Sequence, residues 1–295
     1  MDIGGTHVTA AHVDVTAGSL SLGPSHREPI EGTVSADEFV SALVRCAGRL
    51  PGPAGEHWTI ALPGPFDYQH GIGRYEGVGK FEALRGFDLR TALTARLPGH
   101  PTVAFCNDAD SFTLGEWQAG AARGQRTVTG LTLGTGVGSC FLREGTIVRQ
   151  GHGIPPGGRV DLMEHAGRPL EETVSRRALR RAYARAATDP GEPDVREIAE
   201  RARKGDSAAV GVFTQAFHAL GLVLGPLLAA YEPDVLVIGG SIAGSWDLVA
   251  PPLREGIAAA APESGRTVVV PAQFPERAPL LGAAYLATAV NAPSG

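Results

Sequence analysis

Three glycine-rich segments have the residue types and spacing that could support chemistry in this sequence. They are Gly4-Gly5-Thr6, Gly134-Thr135-Gly136 and Gly239-Gly240-Ser241, and each follows a predicted strand. Without a Cβ, consecutive glycines let backbone N–H groups point at one spot, and such a nest binds anions, most often phosphate. Taken singly, the first two could be hairpin turns and the third a turn between a strand and a helix. Together they favour phosphate binding.

Carboxylates lie beside the first glycine pair and at the end of an apolar run. Asp2 precedes Gly4 by two residues, and Asp108 follows Asn107 directly after the run 102–105. A carboxylate can take the proton of a hydroxyl that is held within about 3 Å. The alternatives are structural: Asp2 forms a turn, and Asn107-Asp108 caps the following helix. For Asp108 both roles can hold at once.

Lysine and cysteine are too scarce for two common kinds of site. Lys80 and Lys204 are the only lysines, and neither stands in the GxxxxGK[ST] pattern of a P-loop, so phosphate binding would use backbone and metal. A dinucleotide fingerprint is excluded as well, since Ser139 stands where it needs a glycine and a strand follows. The three cysteines are odd in number and far apart, which excludes a CxxC zinc module.

The elements that must position these residues alternate between strands and helices. A hairpin opens the sequence and returns as far as Val15, and its short first strand suggests that the natural chain starts a few residues earlier. A second hairpin, 128–133 and 139–142 around the glycine tip 134–138, follows about 130 residues later and suggests two halves of similar topology. The other predicted strands are 57–62, 102–105, 235–238 and 267–271. The predicted helices are 35–49, 89–97, 109–120, 169–187, 195–204, 206–231, 248–260 and 279–289. This alternation indicates an α/β fold.

The composition fits a soluble globular protein and argues against several partners. The 295 residues are 43% apolar and 19% charged, with a net charge of −5, so nucleic acid and anionic membranes are not expected to bind. The best membrane-span candidate, 219–231, is shorter than the roughly 18 residues that a span needs and contains Gly225 and Pro226. No signal peptide opens the sequence, and a cytoplasmic location is expected.

In this order and at these distances, the three glycine segments resemble the phosphate-1, phosphate-2 and adenosine segments of the sugar kinase and actin-like ATPase superfamily. Within it the chain resembles the ROK family (repressors, open reading frames and sugar kinases). The resemblance extends over nearly the whole chain, including Pro63-Gly64, Asn107-Asp108 and Leu281-Gly282-Ala283-Ala284. It implies a two-domain actin-like ATPase (ribonuclease H-like) fold with a nucleotide cleft between the domains. The smaller domain would be 1–110 plus 279–295, with the base and the sugar-binding loops. The larger would be 111–278, with the second phosphate loop and the adenosine site.

The resemblance also implies cofactors and roles. The cofactors would be ATP and Mg²⁺, with Asp108 as catalytic base, Asn107 as a ligand of a sugar hydroxyl and Asp2 holding Mg²⁺ through water. The implied substrate contacts also include Gly64 and Glu171, the latter from the segment 169–175. The implied nucleotide contacts are Asp2, Gly4, Gly5, Thr6, Gly134, Thr135, Gly136, Gly239, Gly240 and Ser241.

Three features depart from the family pattern. Most ROK kinases have a Cys/His zinc loop, but residues 153–169 contain no cysteine, so no structural zinc is expected. The glutamate–histidine pair before that loop has two candidates, Gly151-His152 and Glu164-His165, of which His165 is preferred as a substrate contact. In glucokinase-like members the region that corresponds to 79–86 offers an asparagine to the sugar, and Lys80 has no obvious equivalent there. Lys80 is either a solvated surface lysine or a contact to substrate or phosphate. These changes put glucose itself in doubt and make a hexosamine derivative or a carbocyclic sugar analogue credible.

The sequence therefore predicts an ATP-dependent sugar kinase that phosphorylates a primary hydroxyl of a hexose or hexose-like polyol. The alternative is a sugar-binding ROK protein without turnover. A transcriptional regulator is not expected, since no winged helix precedes the first glycine loop, and a homodimer is the family expectation. A run of arginines at 176, 177, 180, 181 and 185 predicts a solvated helix face, with a polyphosphate donor or nucleic acid as the alternative partner.

Overall fold

The chain divides into two compact units, each described here by itself. Unit 1 comprises Met1–Gln118 and Glu276–Gly295, and unit 2 comprises Ala119–Pro275. The computed structural model describes residues 1–16, 19–53, 55–189, 191–262 and 266–291.

Strands and helices alternate along both units. The strands are β1 (Asp2–Ile3), β2 (His7–Thr16), β3 (Ser19–Pro29), β4 (His57–Leu62), β5 (Phe66–Asp67), β6 (Ile72–Gly73), β7 (Thr102–Asn107), β8 (Thr127–Leu133), β9 (Val137–Arg143), β10 (Thr146–Ile147), β11 (Glu164–His165), β12 (Arg168–Pro169), β13 (Val235–Gly239) and β14 (Val268–Pro271). The helices are α1 (Ala36–Gly48), α2 (Leu89–Arg96), α3 (Asp108–Ala119), α4 (Glu171–Val174), α5 (Arg176–Ala186), α6 (Val195–Arg203), α7 (Ser207–Tyr231), α8 (Trp246–Ala260) and α9 (Ala278–Asn291).

The main sheet of unit 1 has the strand order β3-β2-β1-β4-β7. β1, β4 and β7 are parallel, whereas β2 and β3 run antiparallel to their neighbours. Side chains alternate across β4: Ile60 and Leu62 belong to the core that contains Phe39 of α1, while Ala61 packs with Ala283 of α9. Helices therefore cover both faces of this sheet, as parallel strands require.

The main sheet of unit 2 has the order β10-β9-β8-β13-β14, with β8, β13 and β14 parallel. Its core includes the fully buried Phe141 of β9, Phe217 of α7 and Ile238 of β13. α7 is 25 residues long and passes the length and composition test for a membrane span, which corrects the expectation that no apolar segment is long enough. Since 61% of its most apolar window is buried inside the structure, α7 is placed like the core helix of a globular domain.

Several predicted elements have different bounds in the structure. The helix expected over 169–187 is broken at Ser175, whose backbone is extended and whose Oγ accepts from the N–H of Ala178 at the start of α5. β3 was not predicted. The capping box predicted for α1 is present, since Ser35 Oγ accepts from Glu38 N–H and the Glu38 carboxylate accepts from Ser35 N–H.

Candidate active site

The carboxyl ends of the parallel strands of unit 1 meet at one sheet edge. The register pairs Asp2 with Ala61 and Ala61 with Cys106, so these three residues are level across β1, β4 and β7. The loop of residues 4–6, the Pro63–Gly64 segment and Asp108 each follow one of these strands. Ligands of α/β sheets bind beyond carboxyl strand ends, and the fold brings three of the predicted site segments there.

Asn107 and Asp108 form the junction between β7 and α3. The sequence placed Asp108 at the end of the strand, but the structure makes it the first residue of the helix. Asn107 Oδ1 accepts from the N–H groups of Ala109 (3.0 Å) and Asp110 (3.2 Å), so Asn107 caps α3. Asp108 Oδ1 accepts from Ala109 N–H at 2.9 Å. The capping alternative therefore holds, and the cap fixes the start of the helix that carries Asp108.

Tyr68 completes a hydrogen-bonded network around Asn107. Asn107 Nδ2 donates to Tyr68 Oη and to Asp108 Oδ1, both at 3.1 Å, while Tyr68 O–H donates to the carbonyl of Leu62 at 3.2 Å. Burial raises the pKa of Tyr68, so the phenol keeps its proton. Both donors and both acceptor positions of the Asn107 amide are thus in use, and a sugar hydroxyl would have to replace one of these partners.

The sequence analysis did not identify Tyr68 as a site residue. It lies in a segment that is rich in glycine and aromatics and is 39 positions from Asn107. Among the sequence signals, only the abundance of aromatic residues in that segment could have suggested its role.

Two acidic side chains of this edge have perturbed protonation. Burial, followed by the negative charge of Asp108, raises the pKa of Asp2 to about 7. Burial also raises the pKa of Asp108, and the positive charge of Lys80 partly offsets this effect. The two carboxylates therefore repel each other in a place with little water, and a cation or a proton would relieve that repulsion.

The donor set at this edge fits a hydrated Mg²⁺. Mg²⁺ binds through one or two carboxylates, keeps several waters and takes its remaining ligands from substrate phosphates. In the part of the chain that the structure describes, no group of three or more His, Cys, Asp or Glu side chains is arranged as metal ligands. Asp2 and Asp108 thus suit an ion that is shared with a phosphate ligand.

Lys80 is held near Asp108 by the residue that follows it. Phe81 has left-handed backbone (φ 58°) and a fully buried ring, packed edge-on against Phe39 and Tyr75 with centroid distances of 5.3 and 5.5 Å. Its N–H donates to the carbonyl of Gly32 at 2.6 Å. Lys80 is half-buried and its charge acts on Asp108. Of the two alternatives for Lys80, the contact role agrees better with this placement than a fully solvated surface lysine.

The first glycine loop, residues 4–6, joins β1 to β2. Gly4 N–H donates to the carbonyl of His7 at 2.9 Å, and the carbonyl of Thr6 accepts from Ile30 N–H at 3.0 Å. Thr6 Oγ1 lies 3.1 Å from His7 Nδ1. Burial, followed by the charge of Arg27, lowers the pKa of His7, so the imidazole beside this loop is neutral near pH 7.

In unit 2 the second and third glycine segments lie together at the carboxyl ends of β8 and β13. Gly239 pairs with Thr132, one position before Leu133. Gly240 has φ 83°, and a Cβ there would lie 2.2 Å from the carbonyl oxygen of Leu133, so this position requires glycine. The structure thus brings Gly134-Thr135-Gly136 and Gly239-Gly240-Ser241 to one edge of one sheet.

Glu171 lies against the second glycine segment. Its Oε2 accepts from the N–H of Val137 at 3.1 Å, at the start of β9, and the carbonyl of Gly134 accepts from Arg176 N–H at 2.8 Å. The short helix α4 and the start of α5 are therefore tied to this loop. The predicted sugar contact and the predicted phosphate loop are neighbours within unit 2.

The remaining substrate candidates are spread over other segments. His165 is half-buried in the small β11–β12 hairpin, where it pairs with Arg168, while His152 is exposed in a loop. Gly64 is exposed two residues after the end of β4. Asp161 was not identified from the sequence; its buried carboxylate accepts from Arg159 Nε at 2.7 Å.

The family comparison agrees with this arrangement of motifs. The family model described as "ROK family" matches residues 1–290. The chain belongs to the ROK family. A glucokinase from Streptomyces coelicolor is 29% identical over 323 residues, which cover 97% of this chain and 96% of that protein.

Two solved structures show the same fold over nearly the full length. A ROK hexokinase from Thermus thermophilus is 26% identical, covers 98% of each chain and has a TM-score of 0.75. A ROK glucokinase from Streptomyces griseus, solved in complex with glucose and AMPPNP, has a TM-score of 0.76 over 97% of each chain, and at 23% identity it shows the fold alone. The predicted family, the two-domain actin-like fold class and the enzyme class, a sugar kinase, are confirmed by these matches.

Proposed function

We propose that this ROK family chain transfers the terminal phosphoryl group of ATP to a primary hydroxyl of a hexose or hexose-like polyol, with Asp108 as the general base. The acceptor class comprises glucose, N-acetylhexosamines and cyclitols. The observation that carries the proposal is the placement of Asp108: a half-buried carboxylate with a raised pKa, fixed at the start of α3 and next to a lysine.

Asp108 suits the base role because burial raises its pKa. A higher pKa makes the carboxylate a better proton acceptor, and the charge of Lys80 favours the ionised form. Among the described residues, the hydrogen bonds to this carboxylate go to Oδ1, from Ala109 N–H and Asn107 Nδ2. That arrangement leaves Oδ2 for the O–H group of the acceptor.

The other residues bind and orient. The backbone of the segments 4–6, 134–136 and 239–241 would hold the nucleotide, and Asp2 would hold Mg²⁺ through water. When bound, the ion would neutralise charge on the phosphates of the donor. For the acceptor we propose Gly64, Lys80, Asn107, His165 and Glu171. In this proposal Asn107 binds the sugar by exchanging its bond to Tyr68 for one to a sugar hydroxyl.

A screen of ADP release across hexoses, N-acetylhexosamines and cyclitols tests the proposal. The wild type should turn over at least one of these acceptors, and Asp108→Asn should lower kcat by about 10²–10⁴-fold, the usual contribution of a general base. Asp14→Asn, on the exposed part of β2, is the matched control and should keep full activity.

Acceptor binding is measured on the same proteins by calorimetry. Retained binding with lost turnover in Asp108→Asn supports the base role. Full turnover by Asp108→Asn contradicts it, and sugar binding by a wild type that releases no ADP with any acceptor favours a sugar-binding protein without turnover.

A further inference from the structure

Glu82 accepts hydrogen bonds from three successive backbone N–H groups of the loop before it. Its Oε2 accepts from Gly77 N–H at 3.3 Å, and its Oε1 accepts from Val78 N–H at 2.7 Å and from Gly79 N–H at 2.9 Å. These bonds, that of Gly79 most of all, lower the pKa of Glu82, so its side chain is a carboxylate near pH 7. Residues 77–79 thus form an anion-binding nest, and a side chain of the same segment occupies it.

The nest depends on the backbone conformation of two glycines. Gly77 has φ 69° and Gly79 has φ 76°, in the left-handed region that other residues rarely adopt. In this conformation the N–H groups on both sides of Val78 reach the same carboxylate. Glycine also gives the chain access to many other conformations, so the Glu82 carboxylate stabilises one of them against the rest.

Lys80 follows the nest directly, and Phe81 fixes the chain on its other side. The Phe81 ring is fully buried, and its N–H donates to the carbonyl of Gly32 at 2.6 Å. A Cβ built on Gly32 would lie 3.0 Å from Cβ of Lys80, so the stem of the lysine packs against that backbone. Lys80 is therefore held from both sides, by Glu82 through residues 77–79 and by the core through Phe81.

The position of Lys80 bears on the proposed base. Lys80 is half-buried, and its positive charge acts on Asp108. A lysine ammonium is a compact charge at the end of a flexible four-carbon stem, so it keeps a defined place only if its backbone is held. Glu82 is exposed and directs its carboxylate at its own loop, so any influence on Asp108 has to pass through Lys80.

We propose that Glu82 is a positioning residue whose carboxylate closes the nest of residues 77–79 and thereby holds the ammonium of Lys80 beside Asp108 during phosphoryl transfer. The part that concerns phosphoryl transfer rests on the proposed function. The role requires no contact between Glu82 and the substrate. Without the carboxylate, three backbone donors lose their acceptor, and the glycines let the loop move away together with Lys80.

Lysine labelling measures the position of Lys80 without turnover, because Lys80 and Lys204 are the only lysines of the chain. An amine-acetylating reagent applied to the full chain, followed by peptide mass spectrometry, gives the labelling rate at each lysine. In the wild type the half-buried Lys80 should react more slowly than the exposed Lys204. Glu82→Ala should raise the rate at Lys80 by about threefold or more, as expected when hydrogen bonds that hold a loop are lost.

Two comparisons control this measurement. The rate at Lys204, which lies in unit 2, should stay within about twofold of the wild type in every variant. Glu76→Ala removes another exposed carboxylate of the same segment, one that pairs with Arg85 at 2.9 Å, and should leave the rate at Lys80 unchanged. Urea midpoints near that of the wild type show that the variants are folded.

Kinetics with the acceptor test the functional part of the proposal. Glu82→Ala should lower kcat/KM for the acceptor by about tenfold, as expected for the loss of a contact by a charged group, and Lys80→Met should cause a similar loss. In the Lys80→Met background, Glu82→Ala should change kcat/KM by less than about twofold, because the group that it positions is absent. Glu82→Gln should restore part of the loss, since its amide oxygen can still accept from Val78 and Gly79.

Three results would overturn the inference. The first is a labelling rate at Lys80 that Glu82→Ala leaves unchanged. The second is a loss of kcat/KM on Glu82→Ala that is equally large in the wild-type and Lys80→Met backgrounds, which would show that Glu82 acts through another group. The third is an equal loss in Glu76→Ala, which would assign the effect to the charge of the segment.

The labelling experiment separates this inference from the proposed function. If the wild type turns over no acceptor while the labelling rate at Lys80 depends on Glu82, the proposed function fails and Glu82 still positions Lys80. If the wild type phosphorylates an acceptor while Glu82→Ala changes neither the labelling rate nor kcat/KM, only the positioning role fails.

Discussion

The Gly282→Ala substitution tests the close packing of α9 against α3, the helix that begins with the proposed base. A Cβ on Gly282 of α9 would lie 1.8 Å from the carbonyl oxygen of Ser111 and 2.8 Å from the amide nitrogen of Gly115, which are backbone atoms of α3. Ordinary contact begins at 3.4 Å, so the two helices would have to separate by about 1.6 Å, the difference between these distances. Neither backbone atom can rotate away as a flexible side chain would.

The expected magnitude follows from two opposing effects. Forcing an extra methyl into a packed site costs about 1–3 kcal/mol, and a backbone neighbour places this site at or above the upper end of that range. Replacing glycine by alanine inside a helix returns about 1 kcal/mol. The free energy of unfolding should therefore fall by about 2 kcal/mol or more. Because α3 begins at Asp108, one turn before Ser111, kcat should fall as well.

Urea denaturation followed by tryptophan fluorescence measures the effect, since Trp58 and Trp117 both lie in unit 1. Gly48→Ala is the matched control in the same unit: Gly48 is the last residue of α1 and has no atom within 4 Å of a built Cβ. That variant should be as stable as the wild type or slightly more stable. A Gly282→Ala protein with an unchanged urea midpoint would show that α3 and α9 do not approach as closely as described.

Three further expectations concern the acidic edge of unit 1. The free energy of unfolding should fall as the pH rises from about 4 to about 7, because folded Asp2 keeps its proton up to a pKa of about 7 and the unfolded chain releases it near 3.8. In Asp2→Asn the urea midpoint should depend less on pH over this range. An Asp2→Asn protein whose urea midpoint depends on pH as strongly as that of the wild type contradicts the assignment. Lys80→Met should move the acid limb of the pH profile of kcat/KM to higher pH, because the positive charge of Lys80 lowers the pKa of Asp108. Lys80→Arg should return the acid limb to its wild-type pH. An acid limb that stays at the wild-type pH in Lys80→Met argues against the contact role of Lys80. Tyr68→Phe should lower the free energy of unfolding by about 1 kcal/mol. It should lower kcat more than it changes KM, because Asn107 still caps its helix but loses its hydrogen bond to the phenol oxygen. A change in KM alone would assign Tyr68 to sugar binding.

The sequence predicts much of the fold because its signals are local. The strand at 57–62 and the capping box at Ser35 and Glu38 depend on residues within a few positions of one another, and both are present in the structure. β3 was missed because Gly23 and Pro24 interrupt its pattern. Proline is tolerated there since β3 pairs only with β2, at the edge of the sheet.

The long helix predicted over 169–187 shows a different limit. Its residues have high helix propensity, so propensity alone does not predict the break. Ser175, three positions before Ala178, is nevertheless an N-cap signal that can be read from the sequence. No local sequence signal of this kind predicts the contacts around Asp108. Lys80 and Tyr68 reach it from a separate segment, and their placement depends on the packing of Phe81 and on the hydrogen bond to Asn107.

Two roles of Glu171 have to be distinguished: the sugar contact that the family resemblance implies, and the hydrogen bond that its side chain accepts in unit 2. The resemblance assigns its carboxylate to the sugar, yet in the structure the same carboxylate accepts from Val137 N–H, directly after the glycine loop that the resemblance assigns to phosphate. Removing the carboxylate would therefore release a backbone donor beside the donor site as well as any sugar contact. A loss of sugar affinity on its own would support the family role, whereas a joint change in the KM values of sugar and donor would point to the loop. Glutamine keeps an acceptor for Val137 N–H and removes only the charge, so Glu171→Gln separates these roles better than alanine does.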